Sequence, residues 1–218
     1  MQQKIWRRTK SGMIATGIVL AILIFAIISL VVVQRHYIAQ FNRTYERPLL
    51  VDPDNPVLAS AHRLLSELPP SSSDNSLRFA VMPSFGKRWF AVSLVETRGK
   101  GIGQTVIVRP DGSLISRQSF EMPLLDLKQF FEVWDEISDS YSGEGRSLMD
   151  GTALAFERKR KRQFTSGVGN SPCHYDVLGD WAAQRLSPWV SELSDLRDPI
   201  LPQLLKSKNC NRSMFSLR

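Results

Sequence analysis

The stretch MIATGIVLAILIFAIISLVVV, residues 13–33, is an unbroken apolar run without a charged side chain. A helix of about 20 residues crosses a hydrocarbon layer about 30 Å thick and satisfies every backbone amide inside it. A cleaved signal peptide is the alternative, but its apolar region covers about 7–15 residues and ends at a small-x-small site. Because Gln34-Arg35-His36-Tyr37 follow this longer run, we expect a single transmembrane helix that is retained.

The basic residues around this run predict its orientation. Lysine and arginine collect on the cytoplasmic side of a membrane helix, within about 15–20 residues of its ends. Basic side chains stand close before the run at Lys4, Arg7, Arg8 and Lys10, and more widely spaced after it at Arg35, Arg43 and Arg47. We expect residues 1–12 in the cytoplasm of a bacterium, a span in its cytoplasmic (inner) membrane, and the rest of the chain on the extracytoplasmic, periplasmic side.

The positive charge of the chain is local. The formal net charge is +7, but residues 1–47 hold seven of the 28 basic residues and one of the 21 acidic residues. The remaining chain, with 21 basic and 20 acidic residues, is nearly neutral. A nucleic-acid-binding domain would need a basic face, so the composition gives no support for a nucleic-acid partner.

Residues 34–76 predict a juxtamembrane stalk, a short helix and a linker. Tyr37, Phe41 and Tyr45 recur every four residues and could continue the membrane helix until Pro48 ends it. Asn55-Pro56 is a helix-start signal, and the proline- and serine-rich residues 69–74 are typical of a linker. We expect a folded domain over residues 77–206 and a polar tail at residues 207–218.

Residues 77–206 show the pattern of an α+β domain. Segments rich in branched and aromatic residues predict about six strands, at residues 78–82, 89–97, 104–109, 114–120, 152–157 and 163–166. Apolar residues repeat every three or four positions in two predicted helices, at residues 123–138 and 172–186. Short turns, including a two-residue hairpin at Asp111-Gly112, join antiparallel neighbours. We expect an antiparallel sheet with helices packed mainly on one face.

The chain has two cysteines, Cys173 and Cys210, both on the side expected to be outside the cytoplasm. An oxidising compartment lets such a pair persist as a disulfide, worth about 3–4 kcal/mol in chain-entropy terms. We expect this bridge. Two separate reduced thiols are the alternative, which an inverted topology would favour.

The passage SPCH, residues 171–174, predicts the start of a helix. Ser171 as N-cap and Pro172 at the first helical position would place Cys173 and His174 in the first turn. A free Cys173 there would have a depressed pKa and could act as a nucleophile or redox thiol. His174 is badly placed as its base, because adjacent helical side chains point about 100° apart. We favour a half-cystine at Cys173 over a catalytic residue.

Two features could bind anions. Just before that helix, the backbone of Gly167, Gly169 and Asn170 could cradle an anion, or the glycines could simply permit a sharp turn. A run of five basic residues lies between the last two predicted strands: Arg158, Lys159, Arg160, Lys161 and Arg162. Such a run is usually a solvated turn, but it could also contact anionic lipid headgroups, envelope polymers or an acidic protein partner. The carboxylates of the first long helix, at Asp135, Glu136 and Asp139, are expected on its solvated face.

Motifs of catalysis or metal binding are sparse. The sequence holds no P-loop, no Gly-x-Ser-x-Gly and no paired metal-ligand spacing, and we expect neither a metal nor a cofactor. A zinc site from Cys173, His174 and Cys210 is conceivable but not favoured. The glycine-rich residues 99–103 lack the following helix of a dinucleotide site and are interpreted as a loop. The sequence predicts a non-catalytic, membrane-anchored interaction module of the cell envelope; an envelope enzyme or thiol-redox protein using Cys173 is the alternative.

Overall fold

A long apolar helix opens the chain. The computed structural model describes residues 2–70, 73–84, 86–139, 141–143, 145, 151–172 and 174–196. Helix α1, Gln2–Phe41, contains 40 residues. Its part Thr16–Phe41 is long and apolar enough to cross a membrane, and 0% of its most apolar window is buried against the rest of the chain. This confirms an N-terminal apolar helix, a feature that a membrane anchor and a signal sequence share.

The other described elements form an α+β fold around one antiparallel sheet, as the sequence predicts. The strands are β1 Thr44–Tyr45, β2 Asn75–Pro83, β3 Trp89–Thr97, β4 Lys100–Val108, β5 Leu114–Met122, β6 Thr152–Arg160 and β7 Gln163–Gly169. The helices are α2 Pro56–Ser66, α3 Leu124–Ser138 and α4 Tyr175–Leu186, followed by a short 3-10 helix, Ser191–Leu196. The strand order is β1-β7-β6-β2-β3-β4-β5. The meander β2 to β5 therefore forms one half of the sheet, and α3 leads back to the other half.

Helices cover both faces of this sheet, which differs from the expectation that they gather mainly on one face. On one side, α3 and α4 pack over Phe79, Val92 and Phe156, and Trp134 of α3 is fully buried among them. On the other side, α2 packs over a cluster that includes Ala80. Successive strand residues point to opposite faces, so β2 supplies Phe79 to one core and Ala80 to the other. Cover on both sides explains why β2 and β3 are nearly continuous apolar runs.

The segment expected to be a stalk contributes to the fold from Thr44 onward, because β1 pairs with β7 at the sheet edge. Helix α2 begins at Pro56 with Asn55 as its N-cap, as the sequence predicts. Oδ1 of Asn55 accepts the N–H groups of Val57 and Leu58 at 3.1 and 3.2 Å. The apolar face of α2 is enclosed, with Leu65 only 1% exposed. This helix is therefore part of the core rather than a spacer.

The hairpin turns differ in type from the expectation. Arg98 and Gly99, between β3 and β4, both have positive φ, 48° and 78°, and form a two-residue hairpin. Between β4 and β5, positive φ is confined to Gly112, at 90°. The prediction of a two-residue hairpin at Asp111-Gly112 is wrong, because Pro110 fixes φ near about −65° and favours a type I turn closed by one left-handed glycine.

Candidate functional site

The basic run at residues 158–162 does not form one solvated tip. Arg158 lies in β6 on the α3 face and is 3% exposed. Its Nε and Nη2 donate to the two carboxylate oxygens of Asp135 at 2.8 and 3.0 Å, and its Cζ lies 4.0 Å from the ring centroid of Phe131. Its Nη1 donates to Oδ1 of Asn75 at 2.7 Å. The expectation that Arg158 and Asp135 are solvated is wrong, because strand alternation turns Arg158 toward α3.

Arg160 repeats this arrangement two residues further along β6. Its Nη1 and Nη2 donate to the carboxylate of Asp139 at 2.7 and 2.9 Å, so this carboxylate is also engaged rather than freely solvated. Lys159 points to the opposite face and pairs with Asp74 at 3.1 Å. At the β6–β7 turn, Lys161 and Arg162 are exposed and form no ion pair with a described residue. The binding role expected for the run therefore rests mainly on these two side chains. Glu136 is exposed, as expected.

The glycines at the end of β7 make room for Tyr175. A Cβ at Gly167 would overlap the hydroxyl of Tyr175, and a Cβ at Gly169 would overlap its ring and Oδ1 of Asn42. Tyr175 is 0% exposed, and its hydroxyl donates to the carbonyl of Arg43 at 3.4 Å. Burial raises the pKa of Tyr175 well above its usual range, which keeps this hydroxyl a neutral donor. Because these two glycines have no side chain, α4 can pack closely against β7.

Asn42, the first residue after α1, joins that helix to the sheet. It is 0% exposed, and its Oδ1 accepts the backbone N–H of Asn170 at 2.9 Å, so this N–H is not open to an anion. The N–H of Thr44 donates to the carbonyl of Tyr141 at 3.0 Å. Sequence reasoning missed Asn42; the signal that could have found it is a lone amide side chain directly after an apolar helix.

The two cysteines, Cys173 and Cys210, lie outside the described residues, so their bridge stays a prediction. The helix that follows Cys173 starts later than expected. α4 begins at Tyr175, and His174 is the residue before it. The prediction that His174 stands in the first helical turn is wrong, because Ser171 and Pro172 precede a turn rather than α4 itself.

His174 is enclosed by aromatic rings. It is 1% exposed and stacks on Tyr141, with ring centroids 3.5 Å apart and planes 14° apart. The edge-on ring of Tyr175 lies 5.0 Å away. Within the described part of the chain, neither ring nitrogen of His174 has a hydrogen-bond partner. Burial lowers the pKa of His174 to about 3, so the imidazole is neutral at pH 7. Because the ring is almost completely enclosed, it is also out of reach of a substrate. This geometry gives no support to His174 as a catalytic base.

The glycine-rich residues 99–103 form a turn and the start of β4, not a loop. A Cβ at Gly103 would overlap the ring of Phe120, and a Cβ at Gly101 would lie against Leu127 of α3 at 3.1 Å. Glycine at these positions lets an aromatic ring and a helix pack directly on the strand. The segment is explained by packing, without a nucleotide.

Neither metal chemistry nor the comparisons with known proteins assign an activity to the chain. Among the described residues, no group of three or more His, Cys, Asp and Glu side chains is placed to hold a metal ion. No protein-family model matches the chain, and no curated protein matches its sequence. The functional argument therefore rests on the geometry of α1, its junction with the sheet and the exposed charges.

Proposed function

We propose that the protein is a single-pass membrane anchor that presents a non-catalytic α+β binding module at the membrane surface. The observation that carries this proposal is the unburied apolar helix Thr16–Phe41, which continues directly into the junction built by Asn42 and Thr44. An exposed apolar surface of this length is stable in lipid and not in water. α1 runs without interruption from the apolar stretch to Asn42, whose buried amide ties the end of the helix to the sheet, and this supports the anchor.

The proposed orientation keeps residues 1–12 in the cytoplasm of a bacterial cell and the sheet outside its inner membrane. It is supported by the dense basic residues before the span. The proposed contact for an acidic protein partner or another anionic envelope component is the turn at Lys161 and Arg162. Seven residues of β7 separate this turn from Asn170, about 23 Å at about 3.3 Å per residue. A membrane tether raises the effective concentration of the module for partners at the same membrane, so modest affinity suffices.

A reporter fused after Arg218, combined with an epitope tag before Met1, tests anchor and orientation. A reporter that works only outside the cytoplasm should be active, and the tag should remain on the mature protein. Activity of a cytoplasm-only reporter at the same position would overturn the orientation. Loss of the tag from the mature protein would replace the anchor by a cleaved signal sequence.

A photo-activated cross-linking side chain at Gln163, an exposed residue next to the turn, tests the binding role while Lys161 and Arg162 are kept. We expect an adduct in intact cells that weakens when Lys161 is replaced by Gln, because surface charge attraction falls with each charge removed. Replacement of Lys128, an exposed lysine on α3, by Gln is the matched control and should leave the adduct unchanged. An adduct that is unchanged by Lys161→Gln would contradict a binding role for the charges of this turn.

A further inference from the structure

Strand β5 lies at one end of the sheet. Among the described strands it pairs with β4 alone, so one row of its backbone N–H and C=O groups points away from the sheet. The register with β4 shifts near the start of the strand, where Ile115 is left without a partner. The regular edge therefore covers residues 116–122, SRQSFEM, which include neither the proline nor the lysine that often protects an edge. We call residues 116–122 the β5 edge.

The β5 edge carries a charge pattern that is complementary to itself. Ser119 is its middle residue. An antiparallel pair related by a twofold axis through Ser119 places Arg117 of each copy opposite Glu121 of the other. Strand alternation puts both side chains on the same face of the sheet, and both are more than half exposed. Opposite charges across an antiparallel pair stabilise it, whereas like charges destabilise it.

The same axis brings exposed apolar side chains together at both ends of the β5 edge. Leu114 and Leu125 are more than half exposed, and Ile115 is 39% exposed. In this register, position 114 of one copy lies opposite position 124 of the other. Leu114 and Ile115 thus approach the start of the other copy's α3, where Leu125 lies. Removal of these apolar surfaces from water favours association.

We propose that the β5 edge pairs with the β5 edge of a second copy of this chain, as an antiparallel continuation of the sheet about Ser119. Opposite residues exchange two hydrogen bonds at every second pair, so this edge gains about six to eight backbone hydrogen bonds. Within each copy, Nζ of Lys100 lies 2.7 Å from the carboxylate of Glu121. Nη2 of Arg117 lies 2.6 Å from the carboxylate of Glu67. Pairing joins these two ion pairs across the interface into a row of alternating charge.

The apolar helix is joined to the opposite end of the sheet. β1, which follows α1, is the first strand in the sheet order, and β5 is the last. At about 4.8 Å between neighbouring strands, about 29 Å separate them. The proposal goes beyond the proposed function, because it needs neither an orientation of α1 nor a partner at the β6–β7 turn. Anchoring of two copies in one membrane would raise their effective concentration, which suits an interface made by one strand.

Oxidation of Ser119→Cys in the full chain, reconstituted in phospholipid vesicles, tests the pairing. The two Cα atoms at position 119 would lie about 4.5–5.5 Å apart, within the range of a disulfide. We expect a covalent dimer in which the tryptic peptide of residues 118–128 is linked to itself. Ser113→Cys is the matched control, because Ser113 is also exposed but would lie about 40 Å from its counterpart. The wild type, which keeps Cys173 and Cys210, gives the background.

Charge reversals in the Ser119→Cys chain test the register. Arg117→Glu and Glu121→Arg each place like charges opposite one another and should lower the self-linked fraction about fivefold or more. The double reversal Arg117→Glu/Glu121→Arg restores opposite charges and should recover most of that fraction. Roles within one chain predict the reverse order, because the double reversal breaks the ion pairs with both Glu67 and Lys100. Equal thermal unfolding midpoints show that folding is not the cause.

Three results would overturn the proposal: no self-linked peptide at position 119, an equal yield at position 113, or a double reversal that performs no better than the single ones. A disulfide from position 119 to Cys173 or Cys210, in place of the self-linked peptide, would show a different occupant of the β5 edge and would overturn it as well. The reporter and tag on α1 are measured separately, so failure of the anchor and failure of the β5 pairing are distinguishable.

Discussion

The Oδ1 atom of Asn42 accepts a hydrogen bond from the backbone N–H of Asn170, 128 residues further along the chain, over 2.9 Å. The contact ties the end of α1 to the end of β7, and the side chain of Asn42 is completely buried. A buried N–H that loses its acceptor costs about 1–3 kcal/mol. The stability of the sheet edge therefore depends on the residue at which the chain leaves the apolar helix.

Replacement of Asn42 by Ala should lower the free energy of unfolding by about 1–3 kcal/mol, because the N–H of Asn170 loses its acceptor. Denaturant unfolding of the full chain in detergent measures this change. Gln40→Ala is the matched control, since Gln40 is an exposed side chain of the same helix end. The control should stay within about 0.5 kcal/mol of the wild type. Equal effects of both substitutions would contradict a bond that matters for stability.

The close approach at Gly167 predicts coupling between two substitutions. Gly167→Ala alone should destabilise by about 1–3 kcal/mol, because its Cβ meets the hydroxyl of Tyr175. Tyr175→Phe removes that hydroxyl and opens space. The double variant should therefore be more stable than the sum of the single effects implies, by about 0.5 kcal/mol or more. Strict additivity in a double-mutant cycle would show that the two groups do not meet.

Arg158 and Arg162 should differ sharply in their effect on stability. Arg158→Gln leaves the mostly buried Asp135 carboxylate with only its longer ion pair to Arg160, at 3.6 Å, and should cost about 3 kcal/mol. Arg162→Gln, at the exposed turn, should change the free energy of unfolding by less than about 0.5 kcal/mol. Thermal and denaturant unfolding of the two variants decide the point. Similar small effects would mean that Arg158 is solvated after all.

Folding stability should depend on pH through His174. The unfolded chain protonates this side chain below its ordinary pKa of 6.5, whereas burial holds the folded pKa at about 3. The stability that neutral His174 contributes is complete above pH 6.5 and is lost as pH falls toward 3, by up to about 1.4 kcal/mol per pH unit. In unfolding curves between these limits, His174→Phe should flatten the slope. An unchanged slope in His174→Phe would contradict a buried, neutral His174 in the folded protein.

The Cys173–Cys210 bridge is open to a direct measurement. Peptides digested without reduction from protein isolated in its native membrane should contain one cross-linked pair, because the proposed compartment is oxidising. Two alkylatable thiols in the same preparation would show that the bridge is absent and would favour the alternative of a reactive Cys173.

Local patterns predicted much of the architecture. The strands β3 and β5 carry branched and aromatic side chains between clear turn residues, and Asn55 marks the start of α2. The packing of α2 was missed because a proline- and serine-rich segment follows it, which is typical of a linker. Partners distant in sequence, such as Asn42 and Asn170, leave no periodic signal at all.

The basic run shows why the site was harder to predict than the fold. A strand with apolar and polar residues in alternation reveals its buried face, but residues 158–162 are charged throughout, so the period of two says nothing about burial. Arg158 and Arg160 are about 6.6 Å apart along a strand, and Asp135 and Asp139 are about 6 Å apart along a helix. This match of spacings is the signal that could have paired them.

The junction after α1 also determines how motion passes through the molecule. Asn42 and Arg43 alone separate the helix from β1, and one of them is locked by its buried amide. A rotation of α1 about its axis would therefore be transmitted to the sheet, because the two connecting residues are too few to absorb it. In the other direction, a force applied at Lys161 or Arg162 would reach the apolar helix through β7 and the hydrogen bond between Asn170 and Asn42.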